Sequence, residues 1–285
     1  MGRITINDII ALKKSDKRIS MLTAYDFYSA KFVDQAGVDI ILVGDSLGMV
    51  IQGREDTLAV SIDDMVYHTT MVKRGSKRAL IVTDLPFMSY QISKEEALKN
   101  AGRIMKEAGA GAVKLEGGKN VVSQIKAIVD TGIPVMGHLG LTPQSVHQLG
   151  GYRVQAKGKE QALKLIEDAL VLQDAGVFAI VLETIPLELA KLVSEKLDIP
   201  TIGIGAGLYC DGQVLVFHDL LGYDQDFKPK FVRNYSNLNQ IITEDINKYI
   251  NDINTNQFPN DEESYHMNQQ TIEEVKKELD KDGYL

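Results

Sequence analysis

The strongest constraint on the fold of this 285-residue chain is a regular alternation of short β-branched segments with longer segments of helical periodicity. Such alternation is typical of parallel β-sheets whose strands are joined by crossover helices. Several helical segments end in a glycine, which is a common helix stop. We predict seven strands: Ile19–Thr23, Asp39–Val43, Ala79–Thr83, Ala112–Leu115, Pro134–Gly137, Phe178–Leu182 and Thr201–Ile204.

A candidate eighth strand covers Val214–Phe217. The predicted strands are nearly continuous apolar runs, which indicates burial on both faces. Eight strand-and-helix units in about 250 residues favour an α/β fold of the (β/α)8 TIM barrel type over an open doubly wound sheet. Because only about ten residues separate the seventh and eighth strands, we expect a degenerate seventh crossover.

The C-terminal part differs in composition from the rest. We predict a catalytic barrel over residues 1–260 and an acidic tail over residues 261–285. Residues 237–251 have the pattern of an amphipathic helix, and Thr271–Leu279 of a short helix with a capping box. The tail holds eight acids and three bases, and it therefore carries −5 of the net charge of −8.

Charge and composition exclude several classes of protein. A net charge of −8 without a basic stripe argues against binding to nucleic acid or to anionic membranes. No apolar run approaches the ~20 residues of a membrane span, and the N-terminus has no secretory pattern. Cys210 is the only cysteine, which excludes an internal disulfide and a multi-cysteine metal cluster. We expect a cytoplasmic protein.

Polar side chains follow almost every predicted strand. Because the active site of a barrel lies at the C-terminal ends of its strands, these side chains should converge on one face. Buried charges are costly unless they are paired or bound to a metal, so this number of acids predicts a divalent cation. The residues in question are Asp45, Ser46, Asp84, Lys114, Glu116, His138, Glu183, His218 and Asp219.

The types of side chain narrow the choice of metal ion and suggest a role for each residue. Carboxylates of Asp45, Asp84 and Glu116 suit Mg²⁺, whereas zinc would draw on more His or Cys. Lys114 would supply a cation to a substrate carboxylate or oxyanion, and Glu183 is a candidate general base. Each residue alone has a structural alternative, such as a helix cap, an ion pair or a turn. Their joint occurrence favours a site, with His138 as an accessory candidate or a structural histidine.

Three further segments border the same face. The glycine-rich stretch Gly203–Gly207 does not have the spacing of a P-loop or a Rossmann fingerprint, so we favour close backbone approach over phosphate binding. The loops over residues 45–60 and 138–157 are much longer than the usual ~2–6 residues, which is typical of lids and binding loops.

Eight segments are distinctive in sequence and follow one another along the chain. They are MLTAYD (21–26), LVGDSLGM (42–49), TDLPFMSY (83–90), VKLEGG (113–118), GHLGLTPQS (137–145), GGYRVQAK (150–157), IGIGAG (202–207) and DGQVLVFHD (211–219). Together and in this order they resemble the 3-methyl-2-oxobutanoate hydroxymethyltransferase (ketopantoate hydroxymethyltransferase) family. The resemblance runs from about Ile4 to Met267 and leaves Asn268–Leu285 beyond the usual family end.

The resemblance implies transfer of a one-carbon unit from 5,10-methylenetetrahydrofolate to 3-methyl-2-oxobutanoate, giving 2-dehydropantoate for pantothenate and coenzyme A. By position, Asp45 and Asp84 match metal ligands for Mg²⁺, and Glu116 matches a third acid that acts at the metal directly or through water. The resemblance also assigns substrate binding to Asp45, Ser46, Asp84 and Lys114. Glu183 matches the proton acceptor, which forms an enolate stabilised by the metal and Lys114. The family forms ring-like homo-oligomers, decamers among them.

Two other functions remain open at this point. The first is a Mg²⁺-dependent carbon–carbon lyase of the isocitrate-lyase kind, which would need a differently placed acid or a nucleophilic cysteine. The second is a non-catalytic binding or scaffold protein on a retired barrel. The number of charged residues at the strand ends argues against a scaffold, because buried acids without metal serve no structural purpose.

Overall fold

A computed structural model describes residues 2–15, 17–224 and 229–281. In these ranges, eight parallel strands form a closed barrel in sequence order, and β8 pairs with β1. The predicted (β/α)8 barrel is therefore confirmed. The strands are β1 (Ile19–Thr23), β2 (Ile40–Val43), β3 (Leu80–Asp84), β4 (Ala112–Glu116), β5 (Val135–Gly140), β6 (Ala179–Glu183), β7 (Thr201–Ile204) and β8 (Gly212–Leu215).

Helices follow most of the strands, and short helices interrupt the two long loops. Helix α5 continues into a π-helical turn at Ile104–Ala108, and 3-10 turns lie at Lys119–Val121, Pro143–Ser145 and Asp261–Glu263. The α-helices are α1 (Ile6–Leu12), α2 (Phe27–Gln35), α3 (Leu47–Val50), α4 (Ile62–Gly75), α5 (Lys94–Arg103), α6 (Val122–Val129), α7 (Val146–Leu149), α8 (Lys159–Asp174), α9 (Leu187–Lys196), α10 (Phe217–Leu221), α11 (Leu238–Asn254) and α12 (Gln269–Lys281).

Successive residues of each strand point to opposite faces, which separates two buried clusters. Met136 and Val181 belong to the cluster inside the barrel, whereas their neighbours Val135 and Leu182 belong to the layer between strands and helices. Ile9 of α1 joins the interior cluster and is fully buried. Burial of a side chain of this size contributes about 1.5–3 kcal/mol, and it closes the N-terminal end of the barrel with apolar groups.

Side-chain caps fix where the helices begin. Asp26 accepts hydrogen bonds from the backbone of Tyr28 and Ser29 and so caps the start of α2. Ser61 and Ser93 cap α4 and α5 in the same way. These helices begin just after the loops of the C-terminal face, so the caps also fix the ends of those loops.

The seventh crossover is short, as predicted, and residues 205–211 form no helix. The eighth strand lies two residues earlier than predicted, at Gly212–Leu215, and Phe217 already begins α10. A Cβ at position 212 would lie 2.5 Å from the backbone oxygen of Ile19, so barrel closure requires glycine there. The sequence pattern treats glycine as a breaker, and this shifted the prediction toward Phe217.

The chain forms two compact units, residues 1–236 and 237–285. The first contains the whole barrel, and the second contains α11 and α12, whose described residues include none that is buried. The predicted terminal helix is confirmed and is slightly longer than expected. The division at residue 260 stays a prediction. Among the helices of the described ranges, none has the length and apolar character needed to cross a membrane.

Candidate active site

Strand register brings charged side chains together at the C-terminal edge of the barrel. Asp84 of β3 is paired with Lys114 of β4, and Glu116 at the end of β4 is paired with His138 of β5. Asp84, Lys114 and His138 each follow an interior apolar residue of their own strand by two positions, and Glu116 follows Lys114 by two, so all four side chains point inward. Glu183 ends β6. We call this set the charged arc: Asp45, Asp84, Lys114, Glu116, His138 and Glu183.

Lys114 provides a buried positive charge within the charged arc. Its Nζ lies 2.8 Å from Oδ1 of Asp84, and both side chains are almost fully buried. Burial lowers the pKa of Lys114, but the carboxylates of Asp84, Glu116 and Asp45 outweigh it and raise that pKa above its ordinary value. Lys114 is therefore charged and can bind an anionic oxygen.

His138 connects two carboxylates of the charged arc. Its Nδ1 lies 3.3 Å from Oε1 of Glu116, and its Nε2 lies 3.2 Å from Oε2 of Glu183. Burial and Lys114, whose Nζ is 3.3 Å from Nδ1, lower the pKa of His138. The two carboxylates outweigh them and raise this pKa to about 9, so the imidazole is protonated at neutral pH.

The two aspartates lie in direct contact with each other through the backbone. The amide of Asp45 donates to Oδ2 of Asp84 at 3.1 Å. Burial raises the pKa of both carboxyls, and that of Asp45 is raised further by the charges of Asp84 and Glu116. A cation beside them would offset this repulsion, because it favours the ionised forms.

Gln144 is a site residue that the sequence analysis did not identify. Its side-chain amide donates to Oδ2 of Asp45 at 2.8 Å and to the backbone oxygen of Leu85 at 3.0 Å. Its backbone amide donates to Oε2 of Glu116 at 3.1 Å, and its Oε1 accepts from the hydroxyl of Tyr90 at 2.8 Å. Gln144 therefore fixes two acids at once. Only its place inside the segment GHLGLTPQS pointed to it.

Ser46 stands at the start of α3, where its side chain makes no capping bond. Its Oγ lies 2.8 Å from the hydroxyl of Tyr25, a buried residue after β1. Burial raises the pKa of Tyr25, so its hydroxyl stays neutral. The contact between Tyr25 and Ser46 extends the polar surface from Asp45 toward β1. The sequence analysis did not identify Tyr25 as part of this surface.

Backbone packing at the ends of β5 and β6 fixes Glu183. The amide of Leu141 donates to the backbone oxygen of Glu183 at 2.8 Å. Gly140 has a φ of +98°, and a Cβ there would lie 2.2 Å from that same oxygen. Only glycine permits this close approach, so Gly140 holds the strand end that carries Glu183.

The carboxylates of the charged arc are candidate ligands for Mg²⁺. Among the described residues, no three His, Cys, Asp or Glu side chains form a ready group of metal ligands. Oδ1 of Asp84 is nevertheless buried and has no hydrogen bond of good geometry, although it lies at ion-pair distance from Lys114. Four carboxylates face two cations in the charged arc. Mg²⁺ commonly takes only one or two carboxylates plus substrate oxygens and water, and these residues fit that pattern.

The remaining segments named from the sequence have clear structural roles. Gly205 and Gly207 have positive φ, and a Cβ at either would collide with Phe231 or Leu187, which supports close backbone approach. Cys210 is buried just before β8, next to the Asp211 that pairs with Lys13, at the opposite end of the barrel. Burial raises its pKa, and it is not a nucleophile at the charged arc.

The two long loops meet above the strand ends. The hydroxyl of Tyr152 donates to Sδ of Met49 at 3.6 Å, and Nε2 of His147 lies 4.0 Å from Oδ2 of Asp56. Both contacts join the loop after β2 to the loop after β5. Their role as a lid stays a prediction.

Comparison with solved structures gives the fold alone. A 2,3-dimethylmalate lyase of the PEP mutase/isocitrate lyase superfamily superposes with a TM-score of 0.59 at 15% identity. The match covers 96% of this chain and 92% of that chain. This likeness concerns the barrel, and it says nothing about the reaction of this chain.

Sequence comparison is much more specific. The family model for ketopantoate hydroxymethyltransferase matches residues 3–261. A 3-methyl-2-oxobutanoate hydroxymethyltransferase of Clostridium botulinum (strain Alaska E43 / Type E3) is 54% identical over 271 residues, covering 95% of this chain and 98% of that protein. One of Thermoanaerobacter sp. (strain X514) is 58% identical over 255 residues, covering 90% and 93%.

The family model ends at residue 261, so residues 268–285 lie beyond its match, as the resemblance predicts. The alignment with the Clostridium botulinum relative covers 95% of this chain and so includes some residues of the tail. The family model and the relatives agree in name, and together they span nearly the whole sequence. This chain belongs to the ketopantoate hydroxymethyltransferase family of transferase enzymes.

Proposed function

We propose that this chain transfers a hydroxymethyl group from 5,10-methylenetetrahydrofolate to 3-methyl-2-oxobutanoate, with Mg²⁺ as the cofactor. The product is 2-dehydropantoate, a precursor of pantothenate. The observation that carries the proposal is the charged arc, where buried Lys114 and His138 lie among four carboxylates at the mouth of the barrel. The names of close relatives support the keto acid as one substrate, and the family resemblance suggests the one-carbon donor.

Recognition of the keto acid follows from charge. A 2-oxo acid has a carboxylate and a neighbouring carbonyl oxygen, which need a cation and hydrogen-bond donors. Lys114 supplies the cation from within the barrel, and the hydroxyl of Ser46 supplies a donor on the side of β2. The small apolar end of the substrate then points toward Glu183, on the other side of the barrel.

Asp45 and Asp84 would hold Mg²⁺ directly. Glu116, whose two oxygens contact His138 and the Gln144 amide, would contribute to the same site directly or through water. When bound, the ion supplies a Lewis acid that polarises the carbonyl of the keto acid. The same acids are held in place by Gln144 and by the Asp45 backbone, as such ligands require.

Glu183 removes the proton from C3 of the keto acid, next to the polarised carbonyl. His138 orients the Glu183 carboxylate through its Nε2, and it offers the proton-bearing group closest to that carboxylate. Lys114 stabilises the negative charge that develops on the carbonyl oxygen of the enolate. Because these groups are buried and mutually paired, little reorganisation is needed when the charge forms.

Water adds to the methylene carbon of the donor and both of its C–N bonds break, so that tetrahydrofolate leaves with both nitrogens protonated and the carbon is released at the formaldehyde level. C3 of the enolate then forms the carbon–carbon bond to this carbon, and the former water oxygen takes the proton held by Glu183 and becomes the hydroxyl. The two long loops, which contact each other through Tyr152 and Met49, would limit further access of water to the enolate. Assembly into a homo-oligomer and a cytoplasmic location stay predictions.

The test is an omission assay with purified protein, in which 2-dehydropantoate is measured by mass spectrometry. We expect product only when 3-methyl-2-oxobutanoate, 5,10-methylenetetrahydrofolate and Mg²⁺ are all present. A chelator should stop the reaction and added Mg²⁺ should restore it. Absence of product under complete conditions contradicts the proposal. Cleavage of a 2-oxo acid derivative without folate would support the lyase alternative.

A further inference from the structure

The part of the rim formed by β8 and β1 differs from the charged arc. It contains three aromatic rings around that of His218, which follows β8. The His218 ring centroid lies 4.8 Å from that of Tyr223, 5.6 Å from that of Tyr25 and 5.7 Å from that of Phe217. We call these four residues the ring cluster. The mechanism described above uses none of them directly.

Two polar groups of this region lack protein partners. Nδ1 of His218 is buried and has no hydrogen bond. The neighbouring Asp219 is partly buried, and within the described ranges its carboxylate makes no hydrogen bond or ion pair. Unpaired polar groups in such surroundings cost free energy, so they indicate a ligand that supplies the missing donors and acceptors.

The ring cluster is joined to the keto-acid position. The hydroxyl of Tyr25 contacts Oγ of Ser46 at 2.8 Å, and Ser46 follows Asp45. The amide of Phe217 donates to Oγ1 of Thr23 at 2.9 Å, which anchors the start of α10 to the end of β1. A molecule held at the ring cluster therefore lies beside the proposed first substrate.

The groups present define the chemistry of that molecule. Rings such as those of Tyr223 and His218 pack against a flat aromatic heterocycle. A carboxylate without a partner accepts two parallel hydrogen bonds from an edge that carries two adjacent N–H groups. The imidazole nitrogen of His218 pairs with a further donor or acceptor of the same ring. A pterin has this combination of a flat face and an amino-pyrimidinone edge.

We infer that Asp219, His218 and the ring cluster bind the pterin ring of the one-carbon donor. Asp219 pairs with the amino-pyrimidinone edge, and the rings of His218 and Tyr223 cover a face. The inference rests on the proposed function, since it names where the second substrate of that reaction binds. It divides the rim into a keto-acid side and a donor side, with Ser46 and Tyr25 between them.

The test uses equilibrium binding of two fragments, 6-methyltetrahydropterin and p-aminobenzoylglutamate, and of tetrahydrofolate itself. Asp219→Asn keeps the size of the side chain and removes its charge, and His218→Phe keeps an aromatic ring and removes both ring nitrogens. We expect each variant to weaken binding of 6-methyltetrahydropterin and tetrahydrofolate by about tenfold or more, because a charged or buried hydrogen bond is lost. Binding of p-aminobenzoylglutamate should not respond. Asp198→Asn, an exposed acid at the other end of the barrel, is the matched control.

Steady-state kinetics provide a second readout. Both variants should raise KM for 5,10-methylenetetrahydrofolate and leave KM for 3-methyl-2-oxobutanoate unchanged. Wild-type affinity for 6-methyltetrahydropterin in both variants would overturn the inference, as would failure of that fragment to bind the wild-type protein. These results are distinct from failure of the proposed function, in which the wild-type protein forms no 2-dehydropantoate at all.

Discussion

The charged arc and the ring cluster lie on the same rim, and they differ in how far the protein itself satisfies them. Each charged side chain of the arc lies close to a protein partner, as Lys114 does to Asp84 and His138 to Glu183, although Oδ1 of Asp84 and Nε2 of His138 make these contacts at ion-pair distance without a hydrogen bond of good geometry. In the region of the ring cluster, Nδ1 of His218 and the carboxylate of the neighbouring Asp219 have no partner among the described residues. The side chains of the arc are therefore held in place before substrate binds, as catalysis requires. The unpaired groups of the ring-cluster region instead obtain their hydrogen-bond partners from a bound ligand.

The largest expected effect is in the arc, at Asp84. Asp84→Asn removes one carboxylate charge from beside Lys114 and from the proposed Mg²⁺ position without changing side-chain size. We expect kcat to fall by at least about a hundredfold, because both the cation and its lysine partner lose their anchor. Turnover at saturating Mg²⁺ measures the effect.

The control for this variant is Asp198→Asn, which makes the same chemical change at an exposed site far from the rim. A thermal melt followed by circular dichroism shows whether Asp84→Asn still folds. Wild-type kcat in a folded Asp84→Asn protein would mean that the arc does not hold the metal through this acid.

Glu183→Gln tests the base on the other side of the arc. The amide keeps the contact distance to His138 but cannot accept a proton from carbon. We expect kcat to fall by about 10²–10⁴, the usual contribution of a general base. The affinity for tetrahydrofolate should stay at the wild-type value, since the ring cluster is untouched. A kcat within threefold of wild type would require a different base.

A smaller effect is expected at Gln144, which supports the arc from a loop. Gln144→Leu leaves Oδ2 of Asp45 without its donor while the backbone contact to Glu116 is kept. We expect the apparent affinity for Mg²⁺ to fall by about tenfold or more, as for other groups that orient metal ligands. Titration of activity with Mg²⁺ measures this. An unchanged titration midpoint would reduce Gln144 to a packing role.

The barrel and the members of the arc were predictable because both depend on strand pattern. Seven of the strands lie where β-branched runs place them, and Asp84, Glu116 and Glu183 are the last residues of their strands. A residue at such an end must face the rim of any barrel. The predicted position of the eighth strand was displaced because Gly212 belongs to that strand. It is needed there for the close approach to β1 that closes the barrel, and this contact is visible only once the neighbouring strands are in place.

Residues that reach the site from loops were not predictable in the same way. Gln144 and Tyr90 reach Glu116 and Asp45 from turns. The path of these turns depends on tertiary packing, and no periodicity in the sequence indicates where they lie. Tyr25 follows β1 but acts through Ser46, which lies after a different strand. Whether the predicted roles of these side chains hold depends on the experiments rather than on their positions.

The smallest expected effect concerns the stability of the protein and lies at Asp219, next to the ring cluster. Burial, assisted by Asp224, raises the pKa of Asp219 to about 6. An acid with a raised pKa in the folded state costs stability once pH rises through the window between its unfolded value and 6. Asp219→Asn should therefore raise Tm by about 2 °C at pH 7.5 and leave it unchanged near pH 3.5.

This stability gain should accompany weaker binding of tetrahydrofolate by the same variant, as expected for a group kept for function. Differential scanning fluorimetry at the two pH values measures it, and Asp198→Asn is again the control. A fall in Tm at pH 7.5 would show that Asp219 has a stabilising partner within the protein.

Exchange of the C3 proton of 3-methyl-2-oxobutanoate in deuterated buffer tests the division of the rim most directly. The measurement uses Mg²⁺ and no folate, so that only the charged arc acts. The account predicts exchange by the wild-type protein and by Asp219→Asn at the same rate, and none above background by Glu183→Gln. Exchange that persists in Glu183→Gln, or that is lost in Asp219→Asn, would contradict it.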